Sequence, residues 1–113
     1  MIRIFLTLLT TLILGFCAAS YAHKDATGIV KERMDLFKKS QQDIKALYAS
    51  IRSDELEDIR ANAAALAQWG AVMPDYFPEG SGGGVSEASA EIWKDFDGFK
   101  DAAKTFELAA LSV

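Results

Sequence analysis

Residues 76–97 read YFPEGSGGGVSEASAEIWKDFD. A glycine-rich run separates an aromatic pair from a tryptophan-bearing amphipathic segment. Three roles suit such a run: a phosphate cradle, a flexible linker, or the long crossover of a helical bundle. A phosphate loop needs a preceding strand and a Gly-Lys-Ser/Thr ending, so that backbone amides and a lysine meet the phosphates. Here Val85-Ser86-Glu87 follows the glycines, and nothing upstream alternates with a period of two. The cradle is therefore excluded, and the choice rests on the flanking segments.

Three flanking segments carry helical periodicity. Val30, Met34, Phe37, Gln41, Ile44, Tyr48 and Ile51 recur in steps of four and three, one stripe of a helix interrupted only by Gln41. Leu56, Ile59, Ala63, Leu66, Gly70 and Met73 repeat the rhythm. Ser53 or Asp54 is the expected N-cap there, and Pro74 ends the helix near Val72 or Met73. Ile92, Phe96, Phe99, Ala103, Phe106 and Ala110 form the third stripe with Trp93 beside it, and Ser86 or Ser89 is the expected cap. Near-heptad spacing favours helices packed at a shallow angle. The link at Ser50–Asp54 is short and the link from Pro74 to Ser86 is long, so the first two helices form a hairpin and the third returns by a crossover. The expected fold is all-α, an antiparallel up-and-down bundle. Ala61, Ala63, Ala64, Ala65, Ala67 and Ala71 thin the walls of the second helix, for close helix approach, for a large guest, or because alanine is the best helix former.

The N-terminus reads as an export signal. Arg3 precedes an apolar run from Ile4 to Phe16, and Ser20-Tyr21-Ala22 offers small residues for cleavage before His23. The expected organisation is a signal peptide at 1–22 and one helical domain at 23–113, in the periplasm. Cys17 also permits a lipoprotein reading, against which bulky Phe16 stands. The formal net charge is −4, and cleavage removes Arg3 while keeping all 16 acids. An acidic chain disfavours nucleic acid and anionic membrane surfaces, and no membrane segment is expected after cleavage. Cys17 is the single cysteine and His23 the single histidine. No nucleophile-base set assembles, so enzymatic turnover is not expected, and no metal site is predicted. His23 reads as an exposed terminal residue. Asp54, Glu55, Glu57 and Asp58 read as a solvated cluster at a helix start. Arg33 beside the first stripe either snorkels outward or holds a buried anionic group. Met34 is core packing or a thioether ligand.

Taken together, VKERMDLF at 30–37, YFPEGSGGG at 76–84 and AEIWKDFDGFKDAAKTFELAA at 90–110 resemble the cytochrome c′ family and its methionine-ligated low-spin relatives. The resemblance implies a four-helix bundle around a covalent haem c, with three of its helices present in this chain. It implies electron transfer with a redox partner protein, or binding of a small gas such as nitric oxide. Arg33 then matches an arginine that approaches a haem propionate. Phe37 matches the distal residue, methionine in low-spin relatives. Phenylalanine cannot ligate, which implies five-coordinate iron, with Met34 one turn away as the remaining axial candidate. Gln41 stands where relatives often carry a small residue. Trp93 and Phe96 resemble residues packed near the haem cavity. The family attaches haem through Cys-x-x-Cys-His on the fourth helix, and no cysteine or histidine follows His23. The chain is thus expected to stop short of the fourth helix and not to hold haem covalently. The alternative is a haem-free periplasmic three-helix protein acting by self-association, as a homodimer, or by partner binding. A third reading is a non-covalent haem binder or enzyme using Met34 and His23.

Overall fold

A computed structural model describes residues 26–113. The signal-peptide reading of residues 1–22, with Cys17 and His23, lies outside the described residues. Helix α1 spans Gly28–Ser53 and α2 spans Leu56–Val72. A 3₁₀ turn follows at Met73–Tyr76, then a short α3 at Glu91–Lys94 and α4 at Phe96–Leu111. No strand occurs among the described residues. The fold is the expected all-α, up-and-down bundle, with α1 and α2 as a hairpin and a long crossover to α4.

Ser53 and Asp54 do not cap α2. Ser53 is the last residue of α1, and its hydroxyl donates back to Ala49 O and Ser50 O. Asp54 closes α1 in the left-handed region, φ 58. Its N–H donates to Ile51 O and the Glu55 N–H to Ser50 O, which satisfies carbonyls the helix end leaves open. A side chain is strained at such a position and glycine is not. Asp54→Gly should therefore raise the unfolding free energy by about 0.5–1 kcal/mol, read as a higher urea midpoint at unchanged slope.

The third predicted helix is broken. Asp95 leaves helical geometry at φ −135, ψ 67, and its carboxylate accepts from Gly98 N at 3.1 Å, capping α4. Ser89 Oγ accepts from Glu91 N at the start of α3, whereas Ser86 is engaged elsewhere. Pro74 ends α2 at Val72, as its missing N–H requires.

Helix α2 is the central helix, packed on α1 on one side and on α4 on the other. This two-sided burial accounts for two of its alanines, Ala63 and Ala67, buried along with Leu66, Trp69 and Gly70, whereas Ala61, Ala64 and Ala71 are exposed. A Cβ on Gly70 would fall 2.9 Å from Glu107 N, so the α2–α4 crossing depends on glycine there. Among the described residues, α1 and α4 make no backbone approach to each other. The bundle is open along one side.

That opening changes the reading of α1. The residues it buries are Arg33, Ser40 and Ser50, with Leu36 and Leu47 half-buried on the same line. The spacing is again threes and fours, but the seam lies beside the apolar stripe rather than on it. Small serines let the helices approach, and their hydroxyls are satisfied by α1 carbonyls, Ser40 by Phe37 O and Ser50 by Ala46 O. The apolar stripe instead faces the opening. Phe37 stays 39 % exposed, Tyr48 63 % and Ile51 50 %. An apolar stripe left uncovered by the described residues marks a surface for something else.

Candidate functional site

Two neighbouring cavities occupy the open side. The first, about 430 Å³, lies between α1 and the end of the crossover; Val30, Arg33, Met34, Phe37, Ser86 and Ile92 are among its lining residues. The second, about 330 Å³, is almost wholly apolar. It is floored by Trp69 of α2 and Met73 of the 3₁₀ turn, with Phe37 and Ile44 on one wall and Ala103 and Phe106 on the other. Phe37 and Phe99 line both.

An aromatic cluster builds the wall. Phe77, 4 % exposed, meets Phe99 edge-on at 4.8 Å, Phe37 at 6.2 Å and Trp93 at 6.3 Å between centroids. Phe37 in turn meets Trp69 at 5.2 Å. Such edge contacts add to burial because the positive ring edge points at a negative face. Phe77 belongs to no helix. The backbone carbonyls of Phe77 and Pro78 accept from Trp93 Nε1 at 3.0 and 3.1 Å, which fixes the crossover's start against α3. Gly82 presses on the same indole, where a Cβ would lie 2.6 Å from Cζ3.

Arg33 is the polar edge of the first cavity. It neither snorkels outward nor hangs free, being 3 % exposed. Nη1 donates to Tyr76 O at 3.1 Å and Ser81 Oγ at 2.7 Å; Nη2 donates to Ser81 O and Ser86 Oγ, both at 2.6 Å. The guanidinium also lies 4.5 Å from the Phe77 ring centroid. These partners are neutral oxygens and a ring. Burial pushes the guanidinium pKa below its ordinary value, with no carboxylate raising it in return. The result is a buried positive charge at the rim of an apolar cavity.

The residues singled out in the sequence divide into two places. Arg33, Met34 and Phe37 line the first cavity together, as does Gln41. Trp93 and Phe96 do not line it. They lie beyond Phe77 and border a separate depression with Pro74, Pro78 and Glu79. Phe77, Ser81 and Ser86 were not singled out for the site. The one signal for Phe77 was its place in the YFPEG run, and nothing in the spacing pointed the serines at Arg33. Trp69 sits outside the expected α2 stripe, although its distances of three from Leu66 and four to Met73 are helical. Among the described residues there is no cluster of three metal-ligating side chains, and no helix is long and apolar enough to cross a membrane.

The structure is thus an up-and-down helical bundle open on one side, with an arginine-edged cavity on that side. A model of the cytochrome c′ family matches residues 28–113, all of the helical region. The cytochrome c′ of Rhodospirillum rubrum is 33 % identical over 92 residues, covering 79 % of this chain and 63 % of that protein. The chain belongs to the cytochrome c′ family and spans less than two thirds of that relative's length. No solved structure matches it.

The haem c that the family implies can be tested against the donors present. The sequence has one cysteine, Cys17, and one histidine, His23. Two thioether bonds and a proximal imidazole on a Cys-x-x-Cys-His motif do not fit those residues. The non-covalent half fits: an apolar aromatic wall, a buried cation at its edge, and Met34 as the soft donor in the lining.

Proposed function

We propose that this chain forms the haem-enclosing part of a periplasmic cytochrome c′-type protein, a carrier of electrons or binder of a small gas such as nitric oxide rather than an enzyme. The observation that supports this most directly is Arg33, a buried cation hydrogen-bonded to neutral oxygens at the edge of a cavity that Phe37, Phe77 and Phe99 line. Haem, when bound, supplies a one-electron iron centre whose open position takes a diatomic gas. The chain's own residues do the remaining work. Arg33 neutralises a propionate-type carboxylate that would otherwise be costly to desolvate. Phe37 and Phe99 exclude water. Phe37 has no lone pair to offer a metal, and Met34 is the single sulfur in the cavity lining. The attaching cysteines and histidine are supplied by a segment seated in the α1–α4 opening, where the uncovered stripe of α1 lies.

The test is a hemin titration of the purified protein with imidazole present as the axial ligand. Saturation of a Soret shift at one hemin per chain is expected. All of that haem should extract into acidified butanone, because no thioether forms. If micromolar protein gives no shift, the haem reading fails.

A separate observation favours self-association without haem. Tyr48, Ile51 and Leu56 stand exposed at the turn of the α1–α2 hairpin, and Leu108 and Leu111 at the end of α4. These apolar groups suit a second copy of the chain. Sedimentation decides: a strictly monomeric protein at high concentration would count against it.

A further inference from the structure

We propose that the depression beyond Phe77 is a binding site for a small alkylated ammonium ion. It lies across Phe77 from the first cavity, so the idea stands apart from the haem reading.

The depression has a volume of about 380 Å³, at the small end of ligand pockets, which run from about 300 to 1,000 Å³. Its walls are Trp93, Phe96, Pro74 and Pro78, and Asp75 and Glu79 complete the lining. Trp93 and Phe96 are only half-buried, and both acids are exposed. The indole is already fixed. Its N–H donates to Phe77 O and Pro78 O, and Gly82 packs against the ring. With the N–H engaged, Trp93 has its π-surface left to offer a ligand. The face of an aromatic ring is negative and attracts a cation. These two rings already do so for the chain's own charges. Arg33 Cζ lies 6.0 Å from the Trp93 ring centroid, and Lys100 Nζ lies 5.9 Å from that of Phe96.

The acids add to that attraction. Among the described residues, Asp75 and Glu79 form no ion pair. The lysines closest in sequence to the two rings are committed, Lys94 to Glu91 at 2.7 Å and Lys100 to Asp97 at 3.0 Å. Two unmatched negative charges thus border the depression, against the single charge of Arg33, which reaches Phe77 from the first cavity. The walls decide the kind of cation. A calcium ion takes about six to eight oxygens, and no cluster of three metal-ligating side chains occurs among the described residues. A bare ammonium would give up water to rings and prolines that cannot accept its hydrogen bonds. An alkylated ammonium has little water to lose. Its methyl groups suit the rings and prolines, and its charge suits the aromatic faces and the two carboxylates.

The experiment titrates the purified protein with choline and with its neutral isostere, in which a tert-butyl group replaces the trimethylammonium. The indole N–H resonances report binding. The chain has two tryptophans, and Trp69 does not line the depression, so it is the internal control. Choline at millimolar concentration should shift the Trp93 resonance saturably and leave Trp69 in place. The neutral isostere should bind about tenfold more weakly. Asp75→Asn combined with Glu79→Gln should lose most of that preference, and both positions are exposed, so the fold is kept. Phe96→Leu keeps an apolar wall without a π-face and should weaken choline about three- to tenfold, with the neutral isostere little changed. Equal affinity for the two probes, equal shifts at both indoles, or no shift at about 100 mM choline overturns the proposal. So does displacement of choline by calcium chloride at equal concentration, which would make the carboxylates alone the site.

Discussion

Replacing Phe77 with alanine should lower the unfolding free energy by about 3–5 kcal/mol, the range for deleting a buried aromatic ring. Against a total of about 5–15 kcal/mol for a domain, that is a large share. The position has an unusual number of dependants. Phe77 is 4 % exposed and touches Phe37 of α1, Trp93 of α3, Phe99 of α4 and the guanidinium of Arg33. No large side chain in the described structure is completely buried, so the rest of the core has little reserve to offset the loss. The cavity left would join the first cavity to the depression beyond it, since Phe77 lines both. Water would then enter, and collapse around the gap would be limited by the rigid Trp93 clamp. Phe77→Leu keeps most of the volume and loses the edge-to-face contacts, and should cost about 1–1.5 kcal/mol. Urea unfolding followed by tryptophan fluorescence measures both, because Trp69 and Trp93 flank the site. An alanine variant within about 0.5 kcal/mol of the parent, the size of an ordinary surface effect, would show that Phe77 does not hold the cluster together.

Phe77 also marks where the sequence stops being informative. Helices announce themselves through periodicity, and all three long stripes found in the sequence became helices. The third stripe, Ile92 to Ala110, is at least half-buried throughout, as its pattern implied. Phe77 lies between Pro74 and Pro78, outside any period, so only three-dimensional packing reveals its burial. The helix break at Asp95 was hidden for a related reason. Its apolar neighbours keep helical spacing across it, and the local competition between the Asp95 carboxylate and the helical backbone leaves no mark on that pattern.

The first stripe shows a second kind of limit. Val30, Met34, Phe37, Ile44, Tyr48 and Ile51 read as the face that packs on the neighbouring helix. The contact seam is instead Arg33, Leu36, Ser40 and Ser50, one position away. Apolar periodicity tells which face avoids water. It does not say whether the chain's own helices or another body covers that face. Arg33 and Met34 reached the site because they flank the stripe, and Phe37 because it lies on it. Trp93 and Phe96 share a crossover end with the site but lie across Phe77, a partition no spacing rule encodes.

Arg33→Leu should cost about 3–5 kcal/mol, the scale expected when several part-buried neutral acceptors lose one shared donor at about 1–3 kcal/mol for each group left unpaired. Leucine replaces the apolar stem but leaves Tyr76 O and Ser81 O without their donor, and strands the hydroxyls of Ser81 and Ser86. Buried acceptors left unpaired cost more than the net worth of the bonds they made. Those four bonds are also the ties between α1 and the far side of the crossover, 43 to 53 residues away in sequence. Gly83 and Gly84, at φ 76 and 55, give that stretch little stiffness of its own. Cutting the ties should therefore free residues 78–90 as a unit. Backbone amides such as Ser81 and Ser86, bonded to Pro78 O and Gly83 O, should exchange with solvent far faster, while those in the middle of α2 should follow only the global loss of stability. Arg33→Lys is the informative partner. It keeps the charge but carries one nitrogen in place of a planar fork spanning Tyr76, Ser81 and Ser86, so it should recover less than half of the loss. Full recovery by lysine would mean that charge alone holds the crossover. The fork geometry would then be incidental, and the arginine would be kept for the anion it faces rather than for the loop it holds.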